Sequence, residues 1–310
     1  MGFSESSLIA FLAARAHQHA AVAVGIGHDA AVVRSPAGDG LVLKSDQTIE
    51  HVHFRRDEAA IGLFGRKALA RVLSDLGAIG SRPVACLCSA ALPDDLDEAS
   101  AQALFQGLLD LAHAEGISLV GGDLSRSPAG IVLDVAGLGF LEARAPMLRS
   151  GARVGDALVV TGPLGGSRHG HHLRFQPRWR EGIALAASGV VHACIDLSDG
   201  LARDLHHVTT ASYVGARLEL AALPRRPLPD GSVATVDQAL HDGEDFELLF
   251  ATTPDDLAAL VKDPRFDRVT MTRIGTVVPQ DDGVVVVDAA GKTTTLPLGG
   301  FQHRFGSDAE

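Results

Sequence analysis

A polar, glycine-rich stretch at residues 149–156 divides this chain into two parts of similar length. The stretch reads Arg-Ser-Gly-Ala-Arg-Val-Gly-Asp, and an apolar run typical of a buried strand follows it directly. The chain has 310 residues, which is long for one hydrophobic core, because single cores stop growing at about 250–300 residues. We therefore predict two domains, at residues 1–148 and 149–310.

Both parts mix the hydrophobic periods of helices and strands, which predicts the fold class α+β. Residues 59–79 and 97–115 carry apolar side chains at helical spacing, and further helices are predicted after Gly200 and at residues 255–261. Short apolar runs bounded by glycine, proline and polar residues predict strands between these helices. The predicted strands cover residues 30–33, 41–45, 84–92, 117–120, 131–140, 157–161, 193–197, 216–220, 246–252, 269–278 and 284–288.

The arginine-rich stretch at residues 165–180 is predicted to be a polar loop. It contains His169, His171 and His172, which together suggest a metal site, but a polar loop is the simpler interpretation. Trp179, near the end of the stretch, either covers a ligand or fixes the loop to the surface.

Composition and net charge exclude several classes of molecule as the main binding partner of this chain. The formal net charge of −11 argues against nucleic acid or an anionic membrane as the main partner. No window of about 18 uncharged apolar residues is present, and the first residues lack the pattern of a signal peptide. The three cysteines follow neither a disulfide framework nor a zinc spacing. We therefore expect a cytoplasmic protein that binds a small molecule, with no nucleic-acid and no membrane partner.

A set of aspartates lies where strands or helices are predicted to begin or end. Mg²⁺ prefers carboxylate oxygens and often shares the phosphates of a substrate. No Walker-type phosphate loop is present, so metal ions held by carboxylates are another means of binding a triphosphate. An aspartate beside glycine is also common in turns and helix caps, so the spacing alone leaves both interpretations open. The set comprises Asp29, Asp46, Asp75, Asp123, Asp196 and Asp199.

The segments around these aspartates carry a more specific signal. They are Gly25–Val32 (GIGHDAAV), Ser45–Phe54 (SDQTIEHVHF), Leu73–Gly80 (LSDLGAIG), Val120–Arg126 (VGGDLSR), the stretch at 149–156, Ile195–Leu201 (IDLSDGL) and Asp242–Leu249 (DGEDFELL). Any one of them is unspecific. Together, in this order and over nearly the whole chain, they resemble the thiamine-monophosphate kinase family.

The resemblance implies a fold, a reaction and partners. The fold would be that of aminoimidazole-ribonucleotide synthetase, with two domains and with N-terminal strands that close a barrel across a homodimer. The reaction would be the Mg²⁺-dependent transfer of the γ-phosphoryl group of ATP to thiamine monophosphate, which yields thiamine diphosphate. The partner would then be a small phosphorylated substrate, with ATP as co-substrate.

The resemblance also implies roles for individual residues. The implied magnesium ligands are Asp29, Ser45, Asp46, Asp75, Asp123, Asp196 and Asp199, of which Asp75, Asp196 and Asp199 are the predicted catalytic residues. The implied nucleotide contacts are Gly122, Asp123, Arg149 and Ser198, and the implied substrate contacts are His53, Glu244 and Phe301.

Three departures from the family pattern lie near the predicted site. His28 stands where an aspartate is common, Lys44 replaces a small hydroxyl residue, and the expected C-terminal tryptophan is absent, so that Phe301 either replaces it or belongs to the core. They leave two alternatives open. One is a relative of the same fold that acts on another phosphorylated or carboxylated metabolite, and the other is a nucleotide-binding protein without turnover.

Lys44 has two possible orientations. Its ammonium either takes the place of a cation or contacts a phosphate in the site, or its side chain extends to solvent. Side chains alternate along a strand, so we predict that Lys44 and Asp46 share one face and that Ser45 lies on the other.

Overall fold

The computed structural model describes residues 3–17, 19–35 and 40–305. The turn expected between the first two predicted strands lies largely outside the described residues, because it includes residues 36–39. The strands are β1 (Phe3–Ser4), β2 (Val22–Val24), β3 (Ala31–Arg34), β4 (Gly40–Ile49), β5 (Ser81–Pro93), β6 (Ser118–Ser127), β7 (Val132–Leu141), β8 (Ala157–Val160), β9 (Val191–Asp196), β10 (Gly215–Glu219), β11 (Leu248–Thr252), β12 (Thr272–Val278), β13 (Val284–Val287), β14 (Thr293–Thr295) and β15 (Arg304–Phe305).

The helices lie between these strands, as the alternating periods predict. They are α1 (Glu5–Arg15), α2 (Gly62–Ala78), α3 (Glu98–Glu115), α4 (His171–Arg174), α5 (Trp179–Ser188), α6 (Leu201–Ser212), α7 (Val236–His241) and α8 (Pro254–Leu260). Local chemistry sets their ends. In α3, for example, the Asp97 side chain accepts a hydrogen bond from the Ser100 amide, and Gly116 ends the helix in a left-handed conformation.

The first part of the chain builds a six-stranded sheet in the order β2-β3-β4-β7-β5-β6. Neighbouring strands are antiparallel except for β5 and β6, which are parallel and joined through α3. Helices α2 and α3 approach each other very closely. A side chain on Gly65 would lie 1.9 Å from the Leu104 carbonyl oxygen, so this contact requires glycine. The opposite face of the sheet is open and carries exposed side chains such as Leu43 and Leu87.

The second part builds a seven-stranded sheet in the order β14-β13-β10-β12-β8-β11-β9. Helices α6 and α7 pack with residues of this sheet in one core, which includes Leu201, Leu205 and Leu240. Strand β9, at the edge of the sheet, ends at Asp196 and leads through a short turn into α6. At the end of β9, Asp196 of the second part lies close to Asp29 and Asp75 of the first part.

The prediction of a polar loop at residues 165–180 is wrong. The segment forms α4 and the beginning of α5. Leu173, Phe175 and Trp179 are buried in the core of the first part, and the Trp179 indole N–H donates to Glu115. His172 is also buried and His171 is half-buried, whereas His169 is exposed. Burial of the apolar residues outweighs the polar character that suggested a loop.

Two large sheets with their helices, together with the two-stranded pairing of β1 and β15, confirm the predicted α+β class in its coarse form. The expected barrel is not shown, because the six-stranded sheet is not closed in the described part of the chain. The domain boundary near residue 148 stays a prediction, and α5 of the second part packs on α2 of the first. Within the described ranges, the helices are all too short or too polar to cross a lipid bilayer.

Candidate functional site

A cleft of about 680 Å³ lies where the two parts of the chain meet. Its walls come from the turn before β3, from β4 and α2, and from the turns that follow β9 and α7. The C-terminal segment with Phe301 and His303 also lines it. The predicted residues that line this cleft are Asp29, Ser45, Asp46, His53, Asp75, Arg149, Asp196, Ser198, Asp199, Glu244 and Phe301.

A buried acidic cluster forms the centre of the cleft. Asp29, Asp75 and Asp196 each offer a carboxylate oxygen, and these oxygens lie within 4.8 Å of one another. Three separate elements deliver them: the turn before β3, the body of α2 and the end of β9. Burial raises the pKa of Asp196 to about 7, and the Asp29 carboxylate adds to the effect. Burial also raises the pKa of Asp75 well above its ordinary value, although the Lys44 ammonium opposes the rise.

Basic side chains neutralise part of this charge. The Lys44 ammonium lies 3.0 Å from an oxygen of Asp75. Arg71 holds both oxygens of Asp46, at 2.9 and 3.2 Å. These pairs confirm that Lys44 and Asp46 share the cleft face of β4.

Two further contacts complete the partners of the cluster. Arg149 donates to one oxygen of Asp29 through two nitrogens, at 3.1 and 2.7 Å. The Ser74 hydroxyl donates to Asp196 at 2.7 Å. Arg149, which is predicted to contact the nucleotide, therefore contacts the acidic cluster.

A second group of metal-ligand type lies next to the first. Asp199, Asp204 and His207 each offer an atom, and these atoms lie within 4.8 Å of one another. Asp204 is buried, and its carboxylate accepts hydrogen bonds from the backbone amides of Asp199 and Gly200. The sequence prediction missed Asp204 and His207. Their spacing of three residues on α6 places them on one face and was the available signal.

The other side of the cleft holds a buried network around Lys67. Its ammonium donates to the His53 carbonyl at 2.6 Å and to Nδ1 of His172 at 2.8 Å, and it lies 2.7 Å from Oε1 of Glu244. Burial lowers the pKa of Lys67 to about 8, and the Glu244 carboxylate limits the fall. Burial would raise the pKa of Glu244, but the charges of Lys67 and Arg168 hold it below its ordinary value.

Lys67, Arg71 and His172 were also missed by the sequence prediction. Lys67, Arg71 and Asp75 follow one another at intervals of four residues on α2, which is one face of a helix. That spacing is visible in the sequence. The sequence gives no comparable signal that His172 contacts Lys67, because His172 comes from a segment predicted to be a loop.

His53 presents a neutral ring to the cleft. Its Nδ1 accepts a hydrogen bond from the Ile49 amide at 2.9 Å, so the ring proton resides on Nε2. Burial lowers the pKa of His53 to about 3, and the nearby Arg71 contributes to the shift. His53 is thus a hydrogen-bond donor at neutral pH.

Aromatic contacts extend this wall. The ring of His303 lies edge-on to His53, with centroids 5.9 Å apart. Phe301 packs against His303 at 4.7 Å with an interplanar angle of 88°. Phe301 is exposed at the cleft and does not belong to the core. Of the two interpretations of Phe301, the structure therefore excludes the core one.

Three predicted residues are placed differently from the rest. Ser45 borders the cleft, but its hydroxyl donates to Asp134 at 2.6 Å, on the opposite face of β4. Gly122 and Asp123 lie on the exposed edge strand β6 and do not line the cleft. The structure does not bring these three residues to the acidic cluster, and their assigned roles stay predictions.

Both parts of the chain match family models. Residues 27–141 match the model described as AIR synthase related protein, N-terminal domain, and residues 153–288 match the corresponding C-terminal domain. Together these matches cover most of the chain and fall on either side of the stretch at 149–156.

Individual relatives are similar over almost their whole length. Thiamine-monophosphate kinase of Rhodopirellula baltica is 40% identical over 286 residues, which cover 88% of this chain and 89% of the relative. The Escherichia coli K12 enzyme of the same name is 33% identical over 309 residues, which cover 91% and 92%.

Solved structures share the fold. A structure described as AaThiL complexed with AMPPCP and TMP superposes with a TM-score of 0.77 at 27% identity and covers 97% of each chain. The hydrogenase maturation protein HypE of Escherichia coli superposes with a TM-score of 0.70 at 23% identity, covering 96% of this chain and 99% of its own. This second likeness concerns the fold alone.

Proposed function

This chain belongs to the thiamine-monophosphate kinase family, among the AIR synthase related proteins, and we propose that its cleft phosphorylates thiamine monophosphate with ATP. The observation that carries the proposal is the meeting of two kinds of side chain in one cleft. Asp29, Asp75 and Asp196 gather on one side, and His53 and Glu244 lie on the other. The first side suits a nucleotide with metal ions, and the second suits the acceptor.

The reaction asks little of a general base. An oxygen of the acceptor phosphate is already anionic, and it attacks the γ-phosphorus while the bond to the bridging oxygen of ADP breaks. Catalysis then consists of positioning the two substrates and stabilising charge on the transferred group. The guanidinium of Arg149 and the Nε2–H of neutral His53 are donors suited to that task. The peptide N–H of Glu244 donates to the Ser198 carbonyl, which joins the proposed nucleotide and acceptor contacts directly.

Magnesium is part of this proposal, because the donor set fits it. Asp29, Asp75 and Asp196 offer closely spaced carboxylate oxygens, which are the ligands that Mg²⁺ prefers. Bound there, Mg²⁺ would neutralise charge on the ATP phosphates. The protein's own contribution is to hold these carboxylates at fixed positions through Lys44, Ser74 and Arg149.

Glu244 is suited to recognise the acceptor. Its Oε2 is buried and accepts no hydrogen bond from the described residues, with Arg168 and His172 at 3.4 Å. A buried acceptor without a donor costs about 1–3 kcal/mol, so a ligand that supplies the donor gains by binding there. The amino group of the thiamine pyrimidine is such a donor. Phe301 offers an aromatic surface beside it.

A homodimer with a barrel across its interface is also proposed. The open face of the six-stranded sheet exposes Leu43 and Leu87 at 46% each. Large apolar side chains exposed on a sheet face favour burial against a partner. A second copy of this chain would close the sheet. A cytoplasmic location belongs to the same proposal, because ATP is the co-substrate.

The direct test is an acceptor assay. The purified protein is incubated with ATP, Mg²⁺ and a panel of phosphorylated and carboxylated small molecules, and products are resolved by chromatography. We expect equimolar ADP and thiamine diphosphate with thiamine monophosphate alone. Turnover with a different acceptor only would identify a related phosphotransferase, and nucleotide binding without ADP formation would identify a protein without turnover.

A further inference from the structure

Lys44 brings a permanent positive charge into the acidic cluster. It lies on β4, and its side chain is 23% exposed. Its Nζ lies 3.0 Å from Oδ1 of Asp75, a carboxylate that belongs to the group able to hold a metal ion. The alternation along β4 directs Ser45 to the other face, where it binds Asp134, so Lys44 faces the cleft and not bulk solvent.

The surroundings keep this ammonium charged. The Asp75 carboxylate lies against it, and Asp46 follows two residues further along the same face of β4. The ammonium has three N–H donors, of which Asp75 occupies one face. The ammonium is a compact charge, and its remaining N–H groups can donate hydrogen bonds to a phosphate oxygen.

Arg71 adds a second positive charge to the cleft. It lies on α2, one turn before Asp75. Its Nε and Nη2 hold Asp46, while Nη1 is buried and donates to no acceptor in the described part of the chain. A buried guanidinium N–H without an acceptor is costly, and an anionic ligand would satisfy it. Lys44 and Arg71 therefore both face the cleft with donor capacity that protein atoms do not fully use.

Three carboxylates of the cleft are already paired with positively charged side chains of the protein. The carboxylates of Asp29, Asp46 and Asp75 are each paired with a cation from the protein, namely Arg149, Arg71 and Lys44. A site neutralised only by exchangeable ions would leave these carboxylates to repel one another whenever metal is scarce. Here a covalently attached cation already performs part of that neutralisation.

We propose that Lys44 is a resident cation of the cleft, whose ammonium takes the place of one divalent ion at Asp75 and binds a phosphate oxygen of the nucleotide, with Arg71 as its neighbour. The inference rests on the proposed function for the identity of the nucleotide. It implies that this protein binds one divalent ion fewer per nucleotide than it would with a small residue at position 44.

The test counts metal ions. Mn²⁺ is titrated into the protein in the presence of a non-hydrolysable ATP analogue, and free Mn²⁺ is measured by electron paramagnetic resonance. We expect Lys44→Ser to bind one more Mn²⁺ per chain than the unsubstituted protein. Lys44→Arg keeps the charge and should bind the same number as the unsubstituted protein. An equal count for Lys44→Ser and the unsubstituted protein overturns the inference.

Two further variants serve as a replacement and as a control in this experiment. Lys44→Gln retains most of the side-chain length without the charge, so it replaces Lys44→Ser if that variant fails to fold, and it should also gain one ion. Lys292→Ser removes an exposed lysine remote from the cleft and should leave the count unchanged. If the counts differ as expected but thiamine monophosphate is not phosphorylated, the proposed function fails and the resident cation stands. If the enzyme is active but the counts are equal, the resident cation fails and the proposed function stands.

Discussion

The ammonium of Lys67 on α2 lies 2.7 Å from Oε1 of Glu244, and no part of the Lys67 side chain reaches solvent. The two residues come from different parts of the chain, so this pair joins the first core to the substrate side of the cleft. The same ammonium holds the His53 carbonyl at 2.6 Å. One buried lysine thus holds two of the three predicted substrate contacts, His53 and Glu244.

We expect Lys67→Met to destabilise the protein and to weaken acceptor binding. Removal of one partner from a buried ion pair leaves an uncompensated charge and typically costs about 3–5 kcal/mol. Urea denaturation should show a loss of that order in the free energy of unfolding. In the folded fraction, KM for the acceptor should rise more than KM for ATP.

The control is the double variant Lys67→Met with Glu244→Gln. It removes the unpaired charge and should recover part of the stability lost in the single variant. Equal losses in the single and double variants would show that packing, and not charge pairing, is what Lys67 contributes.

Substitution of the central carboxylates should abolish most of the turnover. Asp75→Asn and Asp196→Asn each remove a charge from the buried cluster, and one preorganised contact is worth about 3 kcal/mol in a transition state. We expect kcat to fall at least ~100-fold in each variant. Asp110→Asn, on the exposed side of α3, is the matched control and should retain full activity. Near-normal kcat in a folded Asp75→Asn or Asp196→Asn variant would remove that residue from the site.

Nucleotide binding should depend on magnesium. The chain carries a net charge of −11, and the cleft gathers carboxylates that repel a bare triphosphate. Isothermal titration calorimetry with ATP should therefore give strong heat in Mg²⁺ and little heat in excess chelator. Similar affinities under the two conditions would contradict a metal-assisted site.

His171 should make stability depend on pH in the acidic range. Its Nδ1 accepts from the Arg226 guanidinium at 3.0 Å, and its Nε2 lies 3.0 Å from the Asp245 carbonyl, which it reaches as a donor. Burial lowers the pKa of His171 to about 4, with Arg226 adding to the effect. The unfolded chain therefore binds a proton between about pH 6.5 and 4 that the folded chain does not.

It follows that the free energy of unfolding falls as pH decreases through this window. For one such group the slope is at most about 1.4 kcal/mol per pH unit. Urea denaturation at pH 7 and pH 5 should show a smaller drop for His171→Gln than for the unsubstituted protein. If both proteins lose the same stability, His171 is already protonated or is not linked to folding.

The open face of the six-stranded sheet should mediate self-association. Leu87→Lys places a charge on this face and should shift the protein from dimer to monomer in size-exclusion chromatography with light scattering. Leu109→Lys is the matched control, because Leu109 is also exposed but lies on α3, away from the sheet face. Dissociation by the control alone would place the interface elsewhere.

Much of the secondary structure could be predicted because its causes are local. The apolar spacing at residues 59–79 and 97–115 predicted α2 and α3, and the apolar runs at 84–92 and 131–140 predicted β5 and β7. Residues 165–180 were predicted incorrectly. Whether a segment of mixed polarity folds depends on what it packs against, and Phe175 and Trp179 reach a core made by residues far away in the chain.

The features of the site also fall into those that the sequence predicts and those that depend on the tertiary structure. The sequence by itself determined the family segments, the aspartates within them and the position of Lys67, Arg71 and Asp75 on one helix face, because each is a property of neighbouring residues. Only the tertiary structure decided that Lys44 pairs with Asp75 and Lys67 with Glu244, and that Asp123 lies away from the cleft. Lys44 and Asp75 meet through the folding of the first part, and Lys67 and Glu244 meet through the packing of the two parts against each other. Both pairs join residues far apart along the chain, which no local spacing encodes.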